Sequence, residues 1–192
     1  MQNNLPSYLD IYTNTFKINS YSAEHHIQYD FAIDEIKKIY DNESTFTLID
    51  IGSGRGHLIN LILKNFKDCK ITSVDLEKFN NLDINFIKCD LSSVNDRNTL
   101  TNKKYDVLTC TDVFEHLDKS FIEEVIVSCS LLSKECIFAI ANHSDIINNI
   151  ELHTIQENDS WWEKYLLKYF EIKCKKIEYN GKLYMYKCKS LL

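Results

Sequence analysis

LIDIGSGRGHLI, residues 48–59, decides the fold of this chain. An apolar run ends at Asp50, and three glycines follow on alternate positions from Gly52 to Gly56. A short apolar run bounded by glycine is typical of a buried strand, and the apolar segment LINLILKNF (58–66) predicts a buried helix directly after it. Because glycine adopts positive φ and lets a ligand approach the backbone, the turn between strand and helix is a candidate binding loop. The stretch leaves open whether that ligand is a dinucleotide, another cofactor or none.

Strand-like and helix-like segments alternate along the rest of the chain. Strands are predicted at 45–51, 70–76, 84–91, 105–111 and 135–142, and helices at 22–40, 58–66 and after the capping-box patterns Ser120–Glu123 and Ser160–Glu163. EIKCKKIEY, Asn180-Gly181 and KLYMYKCKS predict a final antiparallel hairpin, since Asn-Gly favours a tight turn. The alternation predicts an α/β fold, a doubly wound Rossmann-like, mostly parallel seven-stranded sheet with an antiparallel C-terminal hairpin.

Length, composition and charge restrict the classes of function. With 192 residues and 44 % hydrophobic composition, one domain is expected, with an N-terminal helical lid segment (1–44) and a sheet core (45–192). A net charge of −6 without a Lys/Arg run disfavours a long nucleic-acid partner and favours a small-molecule acceptor; a homo-oligomer remains compatible. Neither a signal peptide nor a membrane span is predicted. The seven scattered cysteines, which lack CxxC spacing, indicate reduced, mostly buried thiols. A cytoplasmic location is therefore expected.

Acidic residues lie at the carboxyl ends of four of the five predicted parallel strands, at Asp50, Asp75, Asp90 and Asp112. In such sheets, ligands bind outside the carboxyl ends of the strands. Asp75 can accept both ribose hydroxyls, Asp90 can accept an adenine amine, and Asp50 at the loop suits a cation. S-adenosylmethionine carries all three groups. A dinucleotide fits less well, because His57 stands where the Gly-x-Gly-x-x-Gly pattern requires its last glycine.

The segments LIDIGSGRG, VDLE, IKCDL and YDVLTCTDVFEHLD together resemble the class I S-adenosylmethionine-dependent methyltransferases, over about residues 45–142. The resemblance implies the same fold, the same cofactor and a methyltransferase activity. It implies that the cofactor is bound by Asp50, Gly52, Ser53, Gly54, Gly56, Asp75, Leu76, Asp90, Leu91, Thr111 and Asp112. The chain departs from the family between strands two and three, where residues 76–83 are too few for the usual helix. The adenine side is therefore expected to be more open, or covered by another chain.

DVFEHL places Asp112, Glu115 and His116 at i, i+3 and i+4, which predicts one shared helical face. The segment resembles two subgroups, the small-RNA 2′-O-methyltransferases and a ubiquinone-pathway O-methyltransferase, in which a similar set binds a divalent ion. The RNA group adds a histidine after strand five, for which His143 and His153 are candidates. The resemblance thus implies a metal site at Asp112, Glu115, His116 and His153. The alternative is a helix cap at Asp112 and a packed His116.

Methyl transfer to a hydroxyl requires removal of its proton, and His116, His143 and His153 are the candidate bases. The predicted function is O-methylation of a small polar acceptor, such as a sugar, a metabolite or a phosphate-like group. Two alternatives stay open, a metal-assisted enzyme resembling the RNA 2′-O-methyltransferases and a non-catalytic binding module with this fold.

Aromatic and histidine residues near both ends of the chain are further candidates. One of Trp161 and Trp162 is expected in the core, and the other is a candidate wall of the acceptor site. Tyr21, His25, His26 and Tyr29 lie on the N-terminal helix and are expected to form either a lid or a solvated face.

Overall fold

The structure, a computed structural model, describes residues 26–192 and, as isolated positions, Ile11 and Asn14. The main-sheet strands are β1 Phe46–Ile51, β2 Cys69–Asp75, β3 Asn85–Lys88, β4 Tyr105–Thr111, β5 Ser133–Ala141, β8 Phe170–Glu178 and β9 Leu183–Ser190, and a separate small hairpin contains β6 Ile146–Ile147 and β7 Ile150–Glu151. The helices are α1 Ile27–Lys37, α2 His57–Asn65, α3 Val94–Leu100, α4 Ile122–Leu132 and α5 Asp159–Tyr169, with a 3-10 turn at Phe114–His116.

The seven strands of the main sheet have the spatial order β3-β2-β1-β4-β5-β9-β8. β1 pairs in parallel with β2 and β4, and β4 pairs in parallel with β5, whereas β9 is antiparallel to both of its neighbours. The predicted fold class, including the terminal hairpin, is confirmed. The strand order reverses between β1 and β4, so the carboxyl ends of these two strands flank the crevice in which such sheets bind ligands.

The central strands are buried on both faces, as expected of a parallel sheet between helical layers. Leu48 of β1 belongs to a hydrophobic cluster that includes residues of α1 and α2, and its neighbour Ile49 belongs to a second cluster with α4 and α5. Trp162 is fully buried in the second cluster, where its ring packs 6.3 Å from that of Phe114. Trp162 is therefore the tryptophan predicted for the core, and Trp161 packs at the edge of the same cluster.

Both predicted capping boxes are wrong, although the two helices exist. α4 begins after Phe121, one residue later than a cap at Ser120 requires, and the Ser120 N–H donates to Asp118 instead. α5 begins two residues early, and its cap is Asn158, whose side-chain oxygen accepts the N–H of Trp161 at 2.9 Å. The serine of a capping box works only at the N-cap position itself, so a shift of one or two residues removes the motif.

Three other features refine the sequence prediction. The described part of the first helix covers only Ile27–Lys37, and the predicted cap Ser22 lies outside the described residues. Residues 76–83 contain no helix, as predicted. The short helix α3 was not predicted, although Ser93, whose hydroxyl accepts the N–H of Asp96 at 3.3 Å, carried a cap signal.

The cysteines and the helices bear on two further expectations. All seven cysteines are free thiols, and every one except Cys174 is buried. Among the described residues, no helix combines the length and the apolar composition that crossing a membrane would need.

Candidate active site

The loop between β1 and α2 depends on its glycines for both backbone conformation and space. Gly52, Gly54 and Gly56 have φ of 71°, 47° and 75°, in the region that favours glycine. A Cβ added at Gly52 would lie 2.2 Å from Cγ2 of Val113, the residue that follows β4 by two positions. A Cβ added at Gly56 would lie 2.7 Å from Cδ1 of Leu82. The loop is therefore pressed between the segment after β4 and the segment after β2.

Asp50 and Asp75 end neighbouring strands at this loop. Oδ1 of Asp50 accepts the Thr109 hydroxyl at 2.7 Å, whereas Asp75 accepts two backbone N–H groups, from Gly54 at 2.8 Å and from Leu76 at 2.7 Å. Burial raises the pKa of Asp50 to about 7 against the hydrogen bond from Thr109, and the nearby Asp75 adds to the rise. Burial likewise raises the pKa of Asp75 to about 6, against its two backbone hydrogen bonds. A cationic ligand near these carboxyl groups would favour their ionised forms.

A cavity of about 520 Å³, called here the loop cavity, opens beside the glycine loop and the ends of β2 and β3. Of the residues predicted to bind the cofactor, it is lined by Gly52, Gly54, Asp75, Leu76, Asp90, Leu91 and Asp112. The side chain of Asp90 is exposed, and its Oδ1 accepts both the N–H and the hydroxyl of Ser92, at 2.8 and 2.7 Å. Residues 76–83 form no helix on this side, and Leu76 is the member of this segment that lines the cavity.

A larger cavity of about 1210 Å³, called here the histidine cavity, lies between α1, the glycine loop and the β6–β7 hairpin. It is lined by five histidines among other residues, namely His26, His57, His116, His143 and His153. The remaining predicted cofactor residues Asp50, Ser53 and Thr111 line this cavity, and Gly56 lines neither. Asp112 and His116 line both cavities, so the two cavities meet at these side chains.

Asp112 does not share a helical face with Glu115 and His116, contrary to the sequence prediction. Only Phe114–His116 form a 3-10 turn, and Asp112 precedes it with a φ of 55°. Its N–H donates to Ala139 O of β5 at 3.0 Å, and its Oδ2 accepts Nε2 of Gln28 from α1 at 2.6 Å. Burial raises the pKa of Asp112, while the Gln28 hydrogen bond and the nearby histidines 26, 153 and 143 oppose that rise.

Glu115, His116 and His153 form the one group in the described part of the chain whose ligand atoms could hold a metal ion, within 4.8 Å of one another. Glu115 is fully buried; its Oε1 accepts the N–H of Ala141 at 2.9 Å, and its Oε2 has no hydrogen-bond partner. Burial, reinforced by Asp112, raises the pKa of Glu115 well above its usual value. Ligands of one ion at bonds of about 2.1 Å lie at most about 4.2 Å apart, so an ion bound here would draw together any of these atoms that lie further apart.

Backbone carbonyls fix the orientation of two histidine rings in this cavity. Nδ1 of His116 lies 3.0 Å from Leu152 O, and Nδ1 of His153 lies 2.6 Å from His143 O. Because a carbonyl oxygen only accepts, both rings donate from Nδ1, and a neutral ring then carries its lone pair on Nε2. Burial, with a contribution from His153, lowers the pKa of His116 to about 3, so this ring is neutral at physiological pH.

His143 differs from these two rings in its exposure. Its side chain is exposed, its Nδ1 lies 3.1 Å from Ser144 O, and its ring centroid lies 4.9 Å from that of His153. The three candidate bases therefore lie in one cavity, from the buried His153 through the half-buried His116 to the exposed His143.

Several site residues behave differently from their sequence predictions. Neither Trp161 nor Trp162 lines either cavity, so the structure gives no support to a tryptophan wall at these two cavities. Tyr29 lines the histidine cavity, where burial raises its pKa, while Tyr21 and His25 lie outside the described residues. Gln28 was not predicted, because a single glutamine in an amphipathic helix has no motif that marks it.

Comparison with known proteins identifies the family. Residues 23–169 match a family model described as a methyltransferase domain. The chain belongs to the S-adenosylmethionine-dependent methyltransferases. Its fold, its glycine loop and its strand order are those of this family, and S-adenosylmethionine is the family's methyl donor.

Two curated relatives are similar to this methyltransferase over part of its length. A ubiquinone biosynthesis O-methyltransferase of Rickettsia bellii (strain OSU 85-389) is 27% identical over 101 residues, which are 48% of this chain and 40% of the relative. A malonyl-[acyl-carrier protein] O-methyltransferase of Acetivibrio thermocellus is 26% identical over 84 residues, 39% of this chain and 28% of the relative. The matched part of this chain spans less than half the length of either relative.

Solved structures show the same fold. An S-adenosylmethionine-dependent methyltransferase from Clostridium acetobutylicum ATCC 824 superposes with a TM-score of 0.67 at 17% identity, covering 95% of this chain and 98% of that one. The methyltransferase domain of bacterial CtHen1-CN superposes with a TM-score of 0.63 at 19% identity, covering 84% of this chain and 97% of that domain. At such identities the likeness concerns the fold alone.

Proposed function

We propose that this methyltransferase transfers a methyl group to an oxygen atom of a small polar acceptor, such as a sugar, another metabolite or a phosphate-like group. The observation that carries the proposal is the junction of the two cavities at Asp112 and His116. We place the adenosine part of the methyl donor in the loop cavity and its methionine end along the glycine loop, at the edge of the histidine cavity. The acceptor occupies the rest of the histidine cavity, so that donor and acceptor meet at this junction. The catalytic contribution is then mainly the alignment of donor and acceptor. The curated relatives, both named as O-methyltransferases, support oxygen as the acceptor atom.

The donor side of the junction fits S-adenosylmethionine in charge and shape. Asp50 and Asp75 place two carboxyl groups beside a loop in which the buried Ser53 hydroxyl has no hydrogen-bond partner. When bound, S-adenosylmethionine supplies an activated methyl group on a positively charged sulfur. We assign the methionine end to the glycine loop with Asp50, Ser53, Thr111 and Asp112, the ribose to Asp75, and the adenine to Leu76, Leu91 and Asp90.

The acceptor side of the junction requires a group that takes the hydroxyl proton. The low pKa of His116 makes this ring a weak base, since efficient bases have a pKa near the working pH. His116 is therefore better suited to orient the acceptor oxygen, or to bind a metal ion, than to keep the proton. We assign the final acceptance of the proton to His153 or His143, the latter being exposed and able to release it to solvent.

A metal-assisted form of the same reaction is the second candidate. The observation that favours it is Oε2 of Glu115, a buried oxygen without a hydrogen-bond partner in a group with His116 and His153. These three residues would hold the ion, and Asp112, whose carboxylate is bound to Gln28, is not part of the set. A divalent ion bound there would lower the pKa of an acceptor hydroxyl. With this ion, the acceptor can also be the 2′-hydroxyl of a short RNA.

The enzyme proposal is tested by a turnover assay. Formation of S-adenosylhomocysteine is measured over a panel of hydroxylated, aminated and carboxylated small molecules and a short RNA with a free 3′ end. The proposal predicts turnover with hydroxylated acceptors. Turnover confined to amines would overturn oxygen transfer. Tight binding of S-adenosylhomocysteine without turnover on any acceptor would instead support a non-catalytic binding module.

The metal is tested in the same assay and by direct binding. The chain is stripped with EDTA, and Mn²⁺ binding is followed by electron paramagnetic resonance before activity is measured again. The metal-assisted form predicts one Mn²⁺ per chain and a loss of activity that Mn²⁺ restores. Full activity of the stripped protein, without Mn²⁺ binding, would rule this form out.

A further inference from the structure

The hydrogen bond from Gln28 to Asp112 joins the first turn of α1 to the point where the two cavities meet. Its length is 2.6 Å, and Gln28 is only 6% exposed. The carboxylate only accepts, so the amide nitrogen faces Asp112 and the amide orientation is determined by this partner. Hydrogen bonds to a carboxylate belong to the stronger class.

The two partners border different spaces. Asp112 lines both the loop cavity and the histidine cavity, whereas Gln28 lines only the histidine cavity. The neighbours of Gln28 from His26 to Asp30 line the histidine cavity as well. One wall of the proposed acceptor site is thus the first turn of α1, and this turn is bound to a residue that borders the proposed donor site.

The backbone of Asp112 is fixed, so a ligand at this residue changes mainly the orientation of its side chain. Its φ of 55° is uncommon for a residue other than glycine, and its N–H is bound to Ala139 of β5. The main chain is therefore fixed by the sheet, and a ligand that contacts the carboxylate acts chiefly on the side-chain orientation. A change of that orientation alters the hydrogen bond between Asp112 and Gln28.

We propose that Gln28 is a positioning residue: through Asp112 it couples occupancy of the loop cavity to the order of α1, so that the donor must be bound before the acceptor site is complete. The proposal rests on the proposed assignment of donor and acceptor to the two cavities. The Asp112–Gln28 hydrogen bond is already formed in the structure. Cofactor that contacts Asp112 stabilises the carboxylate orientation that Gln28 binds, so the first turn of α1 opens less often. The contact between cofactor and Asp112 is the difference between the two states that such a coupling requires.

The coupling is tested by amide hydrogen exchange of α1 with and without S-adenosylhomocysteine. Gln28→Met keeps the side-chain volume but removes the amide, and Asp34→Asn, exposed on the same helix, is the matched control. In the wild type and in Asp34→Asn, the ligand is expected to slow exchange of residues 27–37 about tenfold, the size that one charge-assisted hydrogen bond can supply. In Gln28→Met, the same ligand at saturation is expected to slow exchange less than about twofold.

A purely structural role for Gln28 gives a different result. Loss of packing or of α1 stability would speed exchange equally with and without ligand. Because Gln28→Met keeps the side-chain volume, that loss is expected to be small. Full ligand-dependent protection in Gln28→Met would therefore overturn the inference while leaving the methyltransferase proposal intact. Failure of the wild type to bind S-adenosylhomocysteine would overturn both.

A double-mutant cycle gives a second, independent measurement. The affinity for S-adenosylhomocysteine is measured by calorimetry in Gln28→Met, Asp112→Ala and the double variant. Alanine leaves Gln28 no acceptor at position 112, so if Gln28 acts through Asp112, the effect of Gln28→Met is expected to disappear in the Asp112→Ala background. Additive effects of the two substitutions would contradict the proposal, even if the helix itself were less stable in one variant.

Discussion

Asp75, the last residue of β2, holds the glycine loop that follows β1, because its Oδ2 accepts the N–H of Gly54 at 2.8 Å. Its second oxygen accepts the N–H of Leu76 at 2.7 Å. The carboxylate therefore shapes two sides of the loop cavity as well as offering acceptors to a ribose.

Replacement of Asp75 is expected to weaken cofactor binding strongly. Asp75→Ala removes the proposed acceptor for the ribose and the acceptor for the N–H of Gly54. Charge-assisted hydrogen bonds contribute about 1.5–3 kcal/mol each. The affinity for S-adenosylhomocysteine should fall at least about thirtyfold in calorimetry. Asp83→Asn, an exposed acid on the neighbouring connection, is the control and should bind like the wild type. Unchanged affinity in Asp75→Ala would exclude Asp75 from the ribose site.

Asp50 is expected to make the stability of the ligand-free protein depend on pH. Burial raises its folded-state pKa to about 7, above the ordinary value of 3.8 that it has when unfolded. Below pH 4 the group is protonated in both states; as pH rises from about 4 to about 7, the unfolded state loses its proton first, and stability falls. Above about pH 7 this contribution is constant.

The measurement compares the free energy of unfolding of the wild type and of Asp50→Asn between pH 5 and pH 8. The asparagine cannot ionise, so the variant should gain stability relative to the wild type up to about pH 7. The affinity of the wild type for S-adenosylhomocysteine should rise over the same range, since its ammonium group favours ionised Asp50 and Asp75. Parallel pH curves for the two proteins would show that Asp50 titrates normally.

The parts of the fold that the sequence predicts well are those determined by neighbouring residues. Strand β4 was predicted to the residue, and the glycine loop was found because positive φ and close contacts demand glycine at fixed positions. Capping boxes were misplaced because Asn158, two residues before Ser160, caps α5, and because α4 begins after Phe121 without a side-chain cap. DVFEHL was misread as a helix because Asp112 is held by Ala139 and Gln28, which lie far away in the sequence.

The site shows the same division between local and distant determinants. Asp50 and Asp75 follow from strand ends and from the family resemblance. The approach of His153 to His116, with ring centroids 4.6 Å apart, depends on a return of the chain after β7 that no local pattern encodes. No sequence pattern marks Gln28, since the role proposed for it depends on a partner 84 residues away.

Gly52 is expected to be intolerant of alanine for two separable reasons. The added Cβ would lie 2.2 Å from Cγ2 of Val113, and the φ of 71° strains any residue with a side chain. Gly52→Ala should destabilise the protein by about 2–4 kcal/mol in chemical denaturation, the sum of a steric and a backbone cost. In the Val113→Ala background only the backbone cost of about 1 kcal/mol should remain. Equal costs in both backgrounds would contradict the predicted clash.

Glu115 is expected to be needed for metal binding but not for folding. The raised pKa favours the neutral form of Glu115, and Glu115→Gln puts a neutral group of similar shape in its place. The new amide oxygen can still accept the N–H of Ala141, while the amide nitrogen takes the place of the oxygen that lacks a partner. The thermal midpoint should change by only a few degrees, since a volume-conserving buried substitution costs about 1 kcal/mol or less.

Mn²⁺ binding distinguishes this variant from its control. An amide nitrogen is not a metal ligand, so Glu115→Gln should lose Mn²⁺ binding. The control is Glu157→Gln: Glu157 pairs with Lys119 and does not belong to the group of three, so this variant should keep Mn²⁺ binding. Binding of Mn²⁺ should also be stronger at pH 8 than at pH 6, because the ion must displace the proton that the raised pKa retains on Glu115. A Glu115→Gln protein that binds Mn²⁺ like the wild type would show that the ion, if bound, lies elsewhere. A stripped wild type with no Mn²⁺ site and full turnover would instead show that the buried carboxyl group is structural and that O-methylation proceeds through the histidines alone.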